Sequence, residues 1–159
     1  MKTLVNVLLV AVLLASLAFP AVLGAAERLP APEKIVLKNG LTVYYLKNSA
    51  LPIVSFRMFV RGAGSASEPA DLEGAAGLTA ALMTKGTAAM DADAIAEALD
   101  FMGASLSISA AEEFSQISAE SLSQHFPRLM TIAADCLSGP VFKEDELAKE
   151  RSRRIDSLK

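Results

Sequence analysis

The chain has one cysteine, Cys136, so no disulfide can form within it, whatever the redox state of its compartment. Cys136 falls in an apolar helical pattern and has no cation beside it in sequence to lower its pKa. It therefore reads as a buried thiol that behaves as a small hydrophobe. Histidine is as scarce, with His125 the single example. Positive charge is also short: 15 Lys+Arg against 18 Asp+Glu give a net charge of −3. Phosphate backbones need a basic face, so this mild acidity argues against nucleic acid as a partner. Long apolar runs are absent too. The longest, Val7 to Phe19, falls below the roughly 20 residues a membrane-spanning helix requires.

That run has another meaning. Lys2 precedes it, Pro20 breaks it, and the small residues Ala21, Gly24, Ala25 and Ala26 follow. This is the layout of a secretory signal peptide over residues 1–24, with cleavage near Gly24 to Ala26. The alternative is an uncleaved N-terminal anchor. Cleavage implies a periplasmic or secreted protein with no stable membrane span. It also removes Lys2, leaving fourteen basic against eighteen acidic residues, and lowers the 52% hydrophobic content. Residues 25–32 read as a flexible lead-in, and 33–159 as one domain with one core.

Asn39-Gly40 is a two-residue hairpin signal, because both residues tolerate positive φ. It joins a strand over Lys34 to Leu37 to one over Leu41 to Lys47. A third strand spans Ile53 to Arg61, where Val54, Phe56, Met58 and Val60 alternate with Ser55, Arg57 and Arg61. The loop from Gly62 to Asp71 is not a phosphate cradle, for no Lys-Ser/Thr follows its glycines. A helix is expected over Leu72 to Thr84, stopped by Gly86. A second runs from Ala92 to Met102, capped by Asp91 and ended by Gly103. Leu106, Ile108 and Ala110 alternate with serines in a strand, and Phe114 to Leu122 returns. Ser123 can cap a third helix with Pro127 in its first turn and a stripe of Phe126, Leu129, Met130, Ala133 and Leu137. Glu144 to Lys159 is helical in pattern, with Leu147, Ile155 and Leu158 as a thin apolar stripe, and shows no stop signal. The order predicts an α+β fold: an antiparallel or mixed sheet with helices packed on one face.

Several segments, in order, resemble one family. Leu37-Lys38-Asn39-Gly40-Leu41-Thr42-Val43 resembles the opening hairpin of the insulinase, pitrilysin and mitochondrial processing peptidase family. Gly64-Ser65 with Glu68-Pro69 is similar to its "G-S-x-x-E" loop. The run Gly74 to Thr87 resembles its hallmark "G-x-A-H-F-L-E-H-M-x-F-K-G-T" helix. Met102-Gly103-Ala104 resembles its "x-G-A" turn, and Gly139-Pro140-Val141-Phe142 with Glu150-Arg151 its entry to a long helix. The resemblance implies a peptidase half-domain that is incomplete at its C-terminal end.

The family's chemistry rests on an inverted zinc motif, His-x-x-Glu-His. Histidines at i and i+4 share a helix face and reach one metal, and the glutamate between them is the general base. In this sequence the first histidine position is Gly77, the general-base position Ala80 and the second histidine position Ala81. The downstream ligand should fall near Ile155 to Leu158, where Asp156 is the one carboxylate. His125 and Cys136 lie eleven residues apart on one helix, about 16 Å at 1.5 Å per residue, and cannot share an ion. No G-x-S-x-G elbow accompanies His125. The resemblance thus implies a non-catalytic homologue with no zinc cofactor. It would act as the substrate-binding half or partner of a zinc-carrying peptidase subunit, with peptide as the possible substrate. The alternative is a truncated fragment without independent function.

Overall fold

The computed structural model describes residues 30–157. The expected signal segment, most of the lead-in, and Leu158 lie outside them. The described residues divide into two compact units, 30–48 and 49–157.

The first unit contains a hairpin of β1 (Glu33–Val36) and β2 (Thr42–Tyr45), paired antiparallel with Val36 opposite Thr42. Its turn differs from the two-residue form expected. Gly40 N–H donates to Leu37 O at 2.9 Å, and Leu37 N–H to Leu41 O at 2.8 Å. Of the loop residues only Gly40 has positive φ, at 86°. This is a three-residue loop, a turn closed by a left-handed glycine. Asn39 keeps negative φ and uses its side chain to brace the loop, with Oδ1 accepting from Leu41 N–H at 3.1 Å.

The second unit holds the core. Strands β3 (Ile53–Arg61), β4 (Ser105–Ala110) and β5 (Phe114–Leu122) form an antiparallel sheet in the order β3-β5-β4. Met58 and Ile108 both lie opposite Ile117, and Phe56 and Leu106 opposite Ala119, so the alternating apolar residues of all three strands share one face. The other face carries Ser55, Arg57, Ser105, Ser107, Ser118 and Glu120, with Ser55 Oγ donating to Glu120 Oε2 at 2.5 Å. Phe59 and Phe114 meet edge-to-face there, ring centroids 5.3 Å apart.

Helices α1 (Ala75–Leu82), α2 (Ala92–Met102), α3 (Phe126–Ser138) and α4 (Glu144–Ser157) complete the unit. The core joins Ile95 and Met102 of α2 to Ile132 and Cys136 of α3, with Leu106 and Ile108 of β4 packed against them. Asp91 caps α2, its Oδ1 accepting from Ala94 N–H at 2.9 Å, and Gly103 ends it at φ 56°. The architecture is the expected α+β class, and its sheets are antiparallel throughout the described residues.

Three sequence expectations change. Ser123 does not cap α3: the N-cap position is His125, which makes no side-chain cap bond, and Ser123 N–H donates to Pro52 O at 2.8 Å. The buried stripe of α3 is Leu129, Ile132, Ala133 and Cys136, with Phe126, Met130 and Leu137 at its half-buried flanks. On α4, Ile155 is exposed, and the buried position is Glu150. The sparse apolar stripe yields there because a charged face, described next, is what packs.

Candidate functional site

The site is the junction of α1 and α4. Helix α1 is short and nearly uncharged, and no residue of its first turn is acidic. Two N–H groups at its start are met by a side chain from the preceding loop. The Glu68 carboxylate accepts from Gly74 N–H at 2.8 Å and from Ala76 N–H at 2.6 Å. A carboxylate at a helix N-terminus supplies both acceptor and favourable charge. The preceding loop is anchored by close backbone contact. A methyl group on Gly64 would lie 2.6 Å from Ala111 O, and Ser65 and Ala66 N–H donate to Ala111 O and Glu112 O at 3.0 and 2.8 Å.

Beyond α1, Thr87 is buried, and its Oγ1 accepts from Met90 N–H at 3.1 Å and Ala89 N–H at 3.3 Å. Val141 N–H donates to Gly86 O at 2.9 Å. These bonds bring the segment that leads into α4 against the end of α1.

Position 80 points inward: Ala80 is buried at 3% exposure, while Gly77 and Ala81 are half-buried. The residue facing Gly77 is Arg154. A methyl group on Gly77 would lie 3.1 Å from Arg154 Nη1, 3.5 Å from Nη2 and 3.8 Å from Cζ. The guanidinium is therefore laid over the glycine. Asp156, the carboxylate the resemblance offers, is exposed. It lies about 200° around the helix from Arg154.

Arg154 is tied to its own helix through Glu150, whose side chain is only 10% exposed. Glu150 Oε2 accepts from Arg153 Nη1 at 2.7 Å, and Oε1 lies 3.5 Å from Arg154 Nε. Glu150 and Arg154 are one turn apart and share a face. Arg154 Nε is buried without a hydrogen-bond partner. Two guanidinium groups beside one buried carboxylate supply the compensation that a buried charge needs. Lys149 makes a second, exposed cluster with Glu146 at 2.6 Å and Asp145 at 3.5 Å. The hydrogen bond to Glu146 raises the Lys149 pKa, with the charges of Glu146 and then Asp145 adding to it. Such exposed pairs add little stability.

Histidine and cysteine stay apart. His125 lines an open groove with Phe101 and Arg128, whereas Cys136 is fully buried. Among the described residues, no three His, Cys, Asp or Glu side chains stand close enough to hold a metal ion.

The family model described as Insulinase (Peptidase family M16) matches residues 42–157. The chain belongs to this family. Among curated M16 relatives, an uncharacterized zinc protease of Rickettsia felis is 31% identical over 114 residues, 72% of this chain and 27% of that protein. The non-peptidase homolog YmxG of Helicobacter pylori is 29% identical over 116 residues, 73% of this chain and 27% of that one. The uncharacterized zinc protease YmxG of Bacillus subtilis is 24% identical over 127 residues, 80% of this chain and 31% of that one. The chain thus spans under a third of the length of these relatives. Among solved structures, a peptidase M16 inactive domain from Pseudomonas fluorescens superposes with a TM-score of 0.69 at 27% identity, over 77% of this chain and 30% of that one. A protease from Helicobacter pylori, at 22% identity and TM-score 0.66, shares the fold over 78% of this chain and 30% of that one.

Against an M16 zinc centre, the chemistry of the side chains at these positions does not fit. Hydrogen at 77 and methyl at 80 and 81 have no lone pair for a metal and no acid to move a proton. The sequence supplied these three positions directly. It did not point to Glu68 as the cap of α1, or to Arg154 as the group over Gly77. For Arg154 the available signal was its i, i+4 spacing from Glu150 within an otherwise poorly apolar helix.

Proposed function

We infer that this chain is a non-catalytic M16 domain that binds no zinc and contributes peptide-binding surface to a zinc-carrying homologous subunit. One observation carries the reading: all three motif positions on α1 lack donors, while the helix still forms, with the Glu68 carboxylate at its start and Ala80 and Leu82 buried. Loss of chemistry with retention of scaffold favours a structural or binding role over catalysis. Relatives described as a non-peptidase homolog and as an inactive domain agree with it. The apolar run Val7 to Phe19 supports a site of action outside the cytoplasm, in the periplasm or secreted.

The test is metal analysis with a peptidase assay on the purified chain. Substoichiometric zinc and no chelator-sensitive cleavage of unstructured peptides are expected. One tightly held zinc per chain together with cleavage would overturn the reading. For the partner role, the chain is mixed with the intact-motif homologue from the same genome. A stable complex with altered peptide affinity is expected, and separate elution with unchanged kinetics would remove that role.

A further inference from the structure

The structure assigns to Arg154 the place of the cation at this site: its guanidinium fills the space over Gly77, where α4 meets α1. The proposal rests on the non-catalytic reading above, and extends it by naming what stands where a metal centre would form. A side chain at position 77 leaves the helix along the Cα–Cβ direction. The first atoms it meets are Nη1, Nη2 and Cζ of Arg154, at 3.1, 3.5 and 3.8 Å. A methyl group is already tight against the guanidinium, and a longer side chain competes with it for the same space. Glycine is therefore the residue that suits Arg154, and the two form a matched pair.

The electrostatics agree with the sterics. Arginine carries its charge at every accessible pH and is more weakly hydrated than lysine, so it tolerates a half-buried position. Here its side chain is 41% exposed, and Glu150, at 10%, lies beside it. The buried Glu150 carboxylate is compensated by the guanidinium groups of Arg153 and Arg154 beside it. A divalent ion at the same place would be repelled by a positive group that cannot lose its proton. Restoring donors on α1 alone is therefore insufficient to rebuild a metal centre, because the cation position is already taken.

The test is a double-mutant cycle in the whole chain, read by thermal unfolding. Glycine within a helix is disfavoured relative to alanine, so Gly77→Ala should raise Tm by about 2–8 °C if nothing opposes it. With Arg154 present, Gly77→Ala is expected to lower Tm or leave it unchanged. In the Arg154→Ala background the same change is expected to raise it. Stabilisation of equal size in both backgrounds would mean that the guanidinium swings aside freely, and would overturn the pairing.

A second arm uses zinc as the probe. The G77H/A81H protein is titrated with zinc against a chromophoric chelator, with and without Arg154→Ala. Removal of the guanidinium is expected to tighten binding about tenfold or more, the scale set by repulsion between near charges. Equal affinities would overturn the cation assignment. Zinc-dependent cleavage by the unmodified chain would sink the non-catalytic reading, whereas the unfolding cycle addresses the Gly77–Arg154 pairing whatever that outcome.

Discussion

Two glycines in one loop, Gly62 and Gly64, are needed for different reasons. Gly62 has φ +68° with open space around it, so alanine there suffers only left-handed backbone strain, about 1–2 kcal/mol. Gly64 has an ordinary φ, yet a methyl group would press into the backbone of Ala111 and Glu112. Backbone cannot rotate away as a side chain can, so Gly64→Ala is expected to cost about 1–3 kcal/mol, measured by denaturant unfolding. A change within error would mean that the 111–113 turn yields readily. Cys136 gives a pH prediction. Burial pushes its thiol pKa above the ordinary value, and the Asp135 carboxylate adds to the effect. Below about pH 8.5 the thiol is protonated in both states and contributes nothing. Above it the unfolded chain ionises first, so stability falls by up to about 1.4 kcal/mol per pH unit until the folded-state pKa is passed. Cys136→Ala is expected to flatten the alkaline limb of Tm against pH. An unchanged limb would assign that titration to other groups. The burial of this thiol was legible from sequence, because helical periodicity reports a buried face directly. The role of Gly64 was not, since its clash is with backbone some fifty residues away in the chain.

At the scale of elements, legibility followed locality. Strand β3, helix α2 with its Asp91 cap and Gly103 stop, and the β4–β5 hairpin were all readable, because each signal lies within the element or beside it. The caps of α1 and α3 were not. Glu68 reaches the start of α1 from eight residues before Ala76, across a loop whose shape the sequence does not state. The start of α3 is set by Pro127 and by the strand before it rather than by Ser123. Glu68→Ala removes the acceptor of two N–H groups at once. It is expected to destabilise the chain by about 1–2 kcal/mol, the upper part of the range for a helix cap. Glu68→Gln keeps one acceptor oxygen and loses the charge, so a smaller loss is expected. Equal losses for both would show that the charge matters more than the acceptor geometry. Protection of the α1 amides in hydrogen exchange should fall first in the alanine variant, because its end frays.

For the whole molecule, the sheet and its helices hold α1 in place without help from α1's own side-chain chemistry. The buried cluster of α2, α3 and β4 lies apart from positions 77 and 81, and at the α1–α4 junction the Arg154 guanidinium, paired with Glu150 of its own helix, lies over Gly77. Of the candidate site, the residue types at 77, 80 and 81 were legible, since they are the sequence itself. What fills the space was not, because Arg154 comes to Gly77 only through the packing of α4. A fold whose cations are covalently its own should be indifferent to metal. A ligand that binds only the folded state stabilises it by RT ln(1 + [L]/Kd), about 2.7 kcal/mol at a hundred times Kd. For a chain of this size that corresponds to a Tm rise of several degrees, about 5–20 °C. The expectation is therefore that Tm is the same in excess chelator and in zinc well above micromolar, to within the error of the scan. A chelator-induced fall in Tm, reversed by zinc and lost in an Arg154→Ala chain, would show that metal and guanidinium act together at the junction. That outcome would end the description of the α1–α4 junction as a place that holds no metal.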